Sequence, residues 1–357
     1  MPAQRSRTLI NLRLFFAALA LCTLARGGGA AGRLPALGAD SKGVTVSGVS
    51  AGGAIAVQFH VAYSGIVRGA GAIAAPPYGC AMGNLWNALA NCMTPSAWAP
   101  PPSGEFLAGL ALALGRAGAI DPPGGLDRAR VWLFSGTRDR SVAPEVVRTL
   151  RDFYRQLAPG AEVVLVAGIP AGHAMVTDRA GNACETSDPP YINNCGYDAA
   201  GALLGHLLGR LNPPAEPRGR LVEFDQREFA LGAAHALSLA DSGYAWVPAG
   251  CERERCRVHV AFHGCRQGAE FVGERFVLES GYNRWAGSNR IIVLYPQAIA
   301  RWGWSWAGGP NFVFNPRGCW DWWGYTGPAY HTRQAPQMRA VRAMLDRLGA
   351  PPSRSSE

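Results

Sequence analysis

The chain has almost no lysine: Lys42 is the only one, and the formal net charge of +9 comes from scattered arginines. No arginine cluster alternates with aromatic residues, so no nucleic-acid partner is expected. No C-x-x-C pair occurs, which excludes the usual spacing of a zinc site or a thioredoxin-like redox centre, and no metal or organic cofactor is expected. Beyond the first residues no apolar run approaches the roughly 20 residues needed to cross a bilayer, so no membrane association is expected after export. A Thr/Ser-rich linker and internal repeats are missing too, leaving nothing to mark off a separate polymer-binding module.

What is present begins with Arg5, Arg7 and Arg13, an apolar run from Leu14 to Ala20, and small residues through Gly27-Gly28-Gly29-Ala30-Ala31. This is the layout of a secretory signal peptide cleaved near Ala30, with an apolar core too short to span a membrane. A lipoprotein reading at Cys22 is disfavoured because Leu21 stands where a small residue is wanted. The expected organisation is a signal peptide over residues 1–30 and a single domain over residues 31–357, a monomer secreted to the periplasm or medium. Removing residues 1–30, which hold four arginines and no acid, lowers the formal charge from +9 to +5. Without Cys22 eight cysteines remain, and an even count in an exported chain favours disulfides. About 105 pairings are possible. Joining near neighbours pairs Cys80 with Cys92, Cys184 with Cys195 and Cys251 with Cys256, leaving Cys265 for Cys319.

The most informative motif is Gly48-Val49-Ser50-Ala51-Gly52. Gly43 to Ser47 alternates like a strand running into it, and Gly52 to Phe59 reads as a helix leaving it. In a glycine-rich chain the bare pentapeptide is a chance match, but a strand before and a helix after make it a nucleophile elbow. The sharp turn forces strained angles on the serine and close backbone contacts, hence the small residues on both sides.

A serine hydroxyl needs a base to take its proton and a carboxylate to orient that base. In this kind of sheet both partners follow later strands, in the order Ser, acid, His. Val131 to Phe134 is a short apolar strand, and the loop Ser135-Gly136-Thr137-Arg138-Asp139 after it leads to a helix from Pro144 to Leu157. A loop aspartate before a helix is ordinarily a turn former or N-cap. The next strand, Glu162 to Ala167, opens into Gly168-Ile169-Pro170-Ala171-Gly172-His173. Of seven histidines, His60 and His206 fall in expected helices and His259 in a strand, while His235 and His331 lack a preceding strand. His173 alone has the required position, so Ser50, Asp139 and His173 are the expected catalytic triad.

Acyl transfer also needs two backbone N–H donors for the developing oxyanion. Ala51, after the nucleophile, supplies one; the other ordinarily comes from an H-G-G-type loop upstream of the elbow. Nothing upstream of Ser50 qualifies, but Val258 to Phe262 runs into His263-Gly264-Cys265 far downstream. A helix carrying Phe271 to Tyr282 and a buried strand from Arg290 to Pro296 are expected after it. Elbow, acid, histidine and then oxyanion strand is a rotated order, which points to circular permutation with the former ends joined at the Pro-rich segment Leu211 to Pro217. The last helix, Gln337 to Leu348, then packs beside the elbow strand. His263 is expected to hold its turn rather than to act as a base.

Trp302-Gly303-Trp304-Ser305-Trp306 and Cys319-Trp320-Asp321-Trp322-Trp323-Gly324-Tyr325 carry six of the eleven tryptophans, more than a loop core needs. With the motifs above, Asn193-Asn194-Cys195-Gly196-Tyr197-Asp198, His263-Gly264-Cys265-Arg266-Gln267, Tyr295-Pro296-Gln297 and Gly318-Cys319-Trp320-Asp321-Trp322-Trp323-Gly324, the chain from Gly43 to Gly349 resembles the single-domain, circularly permuted extracellular poly(3-hydroxybutyrate) depolymerases. The resemblance implies an α/β-hydrolase fold with a mostly parallel central sheet and helices on both faces. It also implies the triad Ser50, Asp139 and His173, an oxyanion hole from the N–H groups of Ala51 and Cys265, and a polyester or oligoester substrate bordered by Trp322, with Trp320 and Trp323 beside it. Arg138 next to the acid departs from the pattern. Two other readings stand beside this one: an esterase of the same mechanism acting on soluble esters such as feruloyl esters, and a non-catalytic polymer- or carbohydrate-binding protein.

Overall fold

The computed structural model describes residues 31–230, 234–306 and 310–352, so the leader expected over residues 1–30 lies outside the described residues. The chain first makes β1 (Asp40–Val49), α1 (Ala51–Ala62), β2 (Val67–Ile73), α2 (Leu85–Ala90), α3 (Gly104–Arg116), β3 (Arg130–Phe134), α4 (Pro144–Leu157) and β4 (Glu162–Val166). Three short strands follow, β5 (Met175–Thr177), β6 (Asn182–Ala183) and β7 (Ile192–Asn194), and then α5 (Ala199–Leu208). The remainder is β8 (Gly219–Asp225), β9 (Ser242–Pro248), β10 (Arg257–Phe262), α6 (Ala269–Val272), α7 (Arg275–Glu279), α8 (Tyr282–Asn289) and β11 (Ile291–Tyr295). The hairpin β12 (Arg301–Ser305) and β13 (Asn311–Asn315) and the helix α9 (Pro336–Gly349) complete it.

Eight strands form one sheet in the order β4-β3-β2-β1-β10-β11-β9-β8. Pairing is parallel from β4 through to β11 and antiparallel for β9 and β8 at the far edge. Helices cover both faces, which is why central strands such as Ile291–Tyr295 are apolar at every position instead of alternating. The two-residue period still sorts β3: Val131 and Leu133 join the core beneath α1, α4 and α9, whereas Trp132 and Phe134 join the core beneath α5 and α8.

Counted from β1, the chain starts in the middle of the sheet and works outward to β4. Counted from β8, it advances from edge to edge with one exchange, of β10 and β11. The Pro-rich segment carries the chain from α5 across α8 to β8, anchored by Asn212 N donating to Asn289 Oδ1 at 2.7 Å and Ala215 N donating to Arg284 O at 3.2 Å. At the other end, α9 packs on β1, and the N–H groups of Leu37 and Ala39 both donate to Leu348 O. One expected element is corrected: the helix from Phe271 to Tyr282 is three pieces, because Gly273 (φ 60°) and Gly281 (φ 93°) take left-handed conformations that end helical turns.

Four disulfides join Cys80–Cys92, Cys184–Cys195, Cys251–Cys256 and Cys265–Cys319. The last spans 54 residues and ties the tryptophan loop to the end of β10.

Three histidines are fully buried. His60 pairs with the Tyr154 hydroxyl at 2.9 Å, and His259 lies between Thr45 Oγ1 (2.8 Å) and Ser47 Oγ (2.7 Å), pinning the elbow strand. Burial pulls His60 and His259 down to about 3 and His263 to about 4, so all three are neutral at ordinary pH. Unfolding frees them to bind protons below their ordinary value of 6.5, so the stability they contribute is fully present above that pH and is lost as pH falls towards 4. Each histidine is expected to cost up to about 1.4 kcal/mol per pH unit in that window. Urea unfolding followed by tryptophan fluorescence, with disulfides intact, should give a plateau from pH 7 to 8 and a steep decline below pH 6. A flat profile down to pH 4 would contradict this account.

Candidate active site

Ser50 occupies the turn between β1 and α1 with φ 57° and ψ −122°, a conformation costing a non-glycine residue about 1–3 kcal/mol. The turn keeps this geometry because its neighbours approach too closely for side chains. A Cβ on Gly48 would collide with the backbone of Gly52, and one on Gly52 with the carbonyls of Phe262 and His263 at the end of β10. Ser50 N donates to Ile73 O at 2.8 Å, fastening the turn to β2 as well.

The loops after β3 and β4 are joined to each other. Ser135 N donates to Val166 O, Thr137 N to Ile169 O and Arg138 N to Ala171 O, at 2.9 to 3.2 Å. This ladder brings Asp139 Oδ2 to 2.8 Å from His173 Nδ1, with the acid buried and the imidazole nearly so. Asp139 Oδ1 accepts the N–H groups of Ser141 and Val142, so the residue is at once a turn former ahead of α4 and the partner of the histidine. Arg138 is exposed and reaches Glu185 only at 3.9 Å. The His173 loop is tied in turn to the β5–β7 region, through Gly172 N to Cys184 O (2.8 Å) and His173 N to Ser187 Oγ (2.9 Å).

Ser50 lies where two chambers meet. One, of about 260 Å³, is apolar and lined by Leu85, Leu89, Met93, Phe314, Trp322 and Trp323. The other, of about 230 Å³, is lined by His173, Ser141, Ser187, Tyr191, Arg266 and Gln267. Both also border Cys265 and Arg317. A larger hollow of about 450 Å³ lies elsewhere, lined by Lys42, Arg68, Arg128 and Arg130, but none of the expected triad residues lines it.

The N–H groups of Ala51 and Cys265 donate to no other group among the described residues. Ala51 N belongs to the first turn of α1, where backbone donors are unsatisfied and the helix favours negative charge. The Cys265 loop is held by Gln267 and His263. Gln267 accepts Gly264 N at 2.7 Å and donates to Tyr191 O at 2.8 Å. His263 Nε2 accepts Ala298 N at 3.0 Å, so its proton is on Nδ1, which donates to Gly264 O at 2.7 Å. Gln267 carried no sequence signal beyond its place after His-Gly-Cys.

The three tryptophans expected at the substrate separate. Trp322 and Trp323 line the apolar chamber, whereas Trp320 is 0% exposed and lines neither chamber. Its ring meets Phe262 edge-on at 5.1 Å and lies 5.6 Å from His263, so it props the end of β10 from behind. Asp321, whose residue type alone does not mark it as shaping the site, is buried and accepts the N–H groups of Trp323, Gly324, Tyr325 and Thr326, fixing the loop that presents the two lining tryptophans. Burial pushes its carboxyl above the usual range, against those donors.

No family model matches the chain. It is 42% identical over 341 residues, 94% of its length, to a poly(3-hydroxybutyrate) depolymerase of Delftia acidovorans, and spans only 65% of that relative. It is 34% identical to a polyhydroxybutyrate depolymerase of Talaromyces funiculosus, covering 89% of this chain and 93% of the relative. Among solved structures, the PHB depolymerase from Penicillium funiculosum and a PHB depolymerase variant complexed with an R3HB trimer each match with TM-score 0.78 and 32% identity, over 89% of this chain and 100% of theirs. The likeness extends over most of this chain, and the chain belongs to the poly(3-hydroxybutyrate) depolymerase family.

Proposed function

We propose that the protein is an exported serine esterase that hydrolyses poly(3-hydroxybutyrate) or its oligomers through Ser50, His173 and Asp139. The observation that carries the reading is the 2.8 Å bond from His173 to buried Asp139 in the wall of a chamber that also borders Ser50. With Nδ1–H given to Asp139, Nε2 is left to accept the Ser50 proton as Oγ attacks the ester carbonyl. The N–H groups of Ala51 and Cys265 receive the charge that develops on the carbonyl oxygen. His173 then gives its proton to the leaving 3-hydroxyl, and water releases the acyl half from Ser50 by the reverse sequence. Four disulfides suit a protein that works outside the cytoplasm.

The names of the relatives favour a polyester substrate. So does the β12–β13 hairpin, where Trp302 pairs across from Phe314 and Trp304 from Phe312. All four are exposed, Trp302 at 75%, on one face of the ribbon, and Phe314 continues into the apolar chamber. An aromatic face leading into an apolar cleft fits a solid, apolar polymer better than a small soluble ester.

Ser50→Ala is expected to lower hydrolysis of p-nitrophenyl butyrate at least about ten-thousand-fold while circular dichroism stays unchanged. Undiminished turnover would remove Ser50 as nucleophile. Trp322→Ala is expected to slow clearing of a poly(3-hydroxybutyrate) suspension roughly tenfold while changing p-nitrophenyl butyrate hydrolysis little. Equal loss on both substrates would mean that the ring only packs, and a wild-type protein active on soluble esters but not on the suspension would replace the polyester reading with the soluble-ester one.

A further inference from the structure

The two chambers beside Ser50 differ in polarity, and the charge that borders them is cationic. Among the described residues that line them, Arg266 and Arg317 are the cations and none is an acid; Arg266 borders only the chamber that His173 lines, whereas Arg317 borders both. Neither arginine forms an ion pair among the described residues, whereas fourteen others do. The two are kept together despite their like charge: Arg266 N donates to Arg317 O at 2.7 Å, and the Cys265–Cys319 disulfide closes the same stretch. Arg266 also has a left-handed backbone, φ 56°, where glycine would be relaxed.

The direction of a 3-hydroxyacid ester says which half of a substrate meets them. When the ester at Ser50 breaks, the acyl half stays on Oγ, and the alcohol half takes a proton from His173 on its 3-hydroxyl. The alcohol half is the one that ends in the chain's free carboxylate. His173 lines only the polar chamber, so the alcohol half is released there and the acyl half is left to the apolar chamber. Resting on the esterase reading above, we infer that Arg266 and Arg317 receive the free carboxylate terminus of an oligoester on the leaving-group side, so that the enzyme prefers ester bonds close to a carboxyl end. Charge-assisted bonds to a carboxylate are stronger than neutral ones and discriminate against its ester. Internal bonds of a long polymer offer no such anion, so chains would be shortened from the carboxyl end.

The test compares kcat/KM for the 3-hydroxybutyrate trimer as free acid and as methyl ester at low ionic strength, with p-nitrophenyl butyrate hydrolysis normalising each protein. The wild type is expected to favour the acid by about five- to twentyfold. Arg266→Gln/Arg317→Gln is expected to bring the ratio close to one, and added salt to lower it in the wild type. A wild-type ratio near one, or a double variant that keeps the preference, overturns the inference. If neither trimer is turned over while p-nitrophenyl butyrate is, the polyester reading fails. The arginine assignment is then decided by inhibition of p-nitrophenyl butyrate hydrolysis by the dimer acid and by its methyl ester. Stronger inhibition by the acid in the wild type, lost in the double variant, supports the inference; equal inhibition refutes it.

Discussion

The close approach of the β1–α1 turn to the end of β10 is the constraint on which the rest of the site depends. Gly48 and Gly52 let backbone meet backbone there, and the parallel pairing of Ser47 and Gly48 with Ala261 and Phe262 brings Ser50 beside the Cys265 loop. Residues more than two hundred positions apart thereby become neighbours. The strain at Ser50 persists because strands on both sides over-determine the turn: β2 accepts its N–H, and the buried His259 clamps Thr45 and Ser47 just before it.

Around that contact each supporting piece is held by a polar group with no part in the proposed chemistry. Gln267 and His263 shape the Cys265 loop, and Asp321 gathers four backbone donors to fix the tryptophan loop. The acid and histidine loops are zipped to each other by main-chain hydrogen bonds. Such groups are buried and largely satisfied, so they specify one arrangement where apolar packing alone would tolerate several. The result is an apolar chamber and a polar one that meet at one serine, with Arg317 bordering both and Arg266 only the polar one.

Much of this was legible along the chain. The apolar runs at Val131–Phe134 and Ile291–Tyr295 are strands, and Pro144–Leu157 is a helix over its full expected length. The helix expected through Phe271 was not continuous, because Gly273 and Gly281 take left-handed angles that residue identity permits but does not require. Trp320 and Trp322, two positions apart, could not be told apart by type. One lies behind β10 and the other borders the cleft, a difference set by how a loop with little regular structure folds around Asp321.

Local order along the polypeptide determined the strands, the elbow, the position of Asp139 and His173 after consecutive strands, and the rotated succession of motifs, because periodicity and turn chemistry act over a few residues. Only the tertiary structure decided which tryptophans reach the cleft, what holds the Cys265 loop, and that two arginines without an ion pair among the described residues line the same chamber as the histidine. Those outcomes depend on contacts between segments far apart in the chain, and distance through space is not written in the spacing of residues along it.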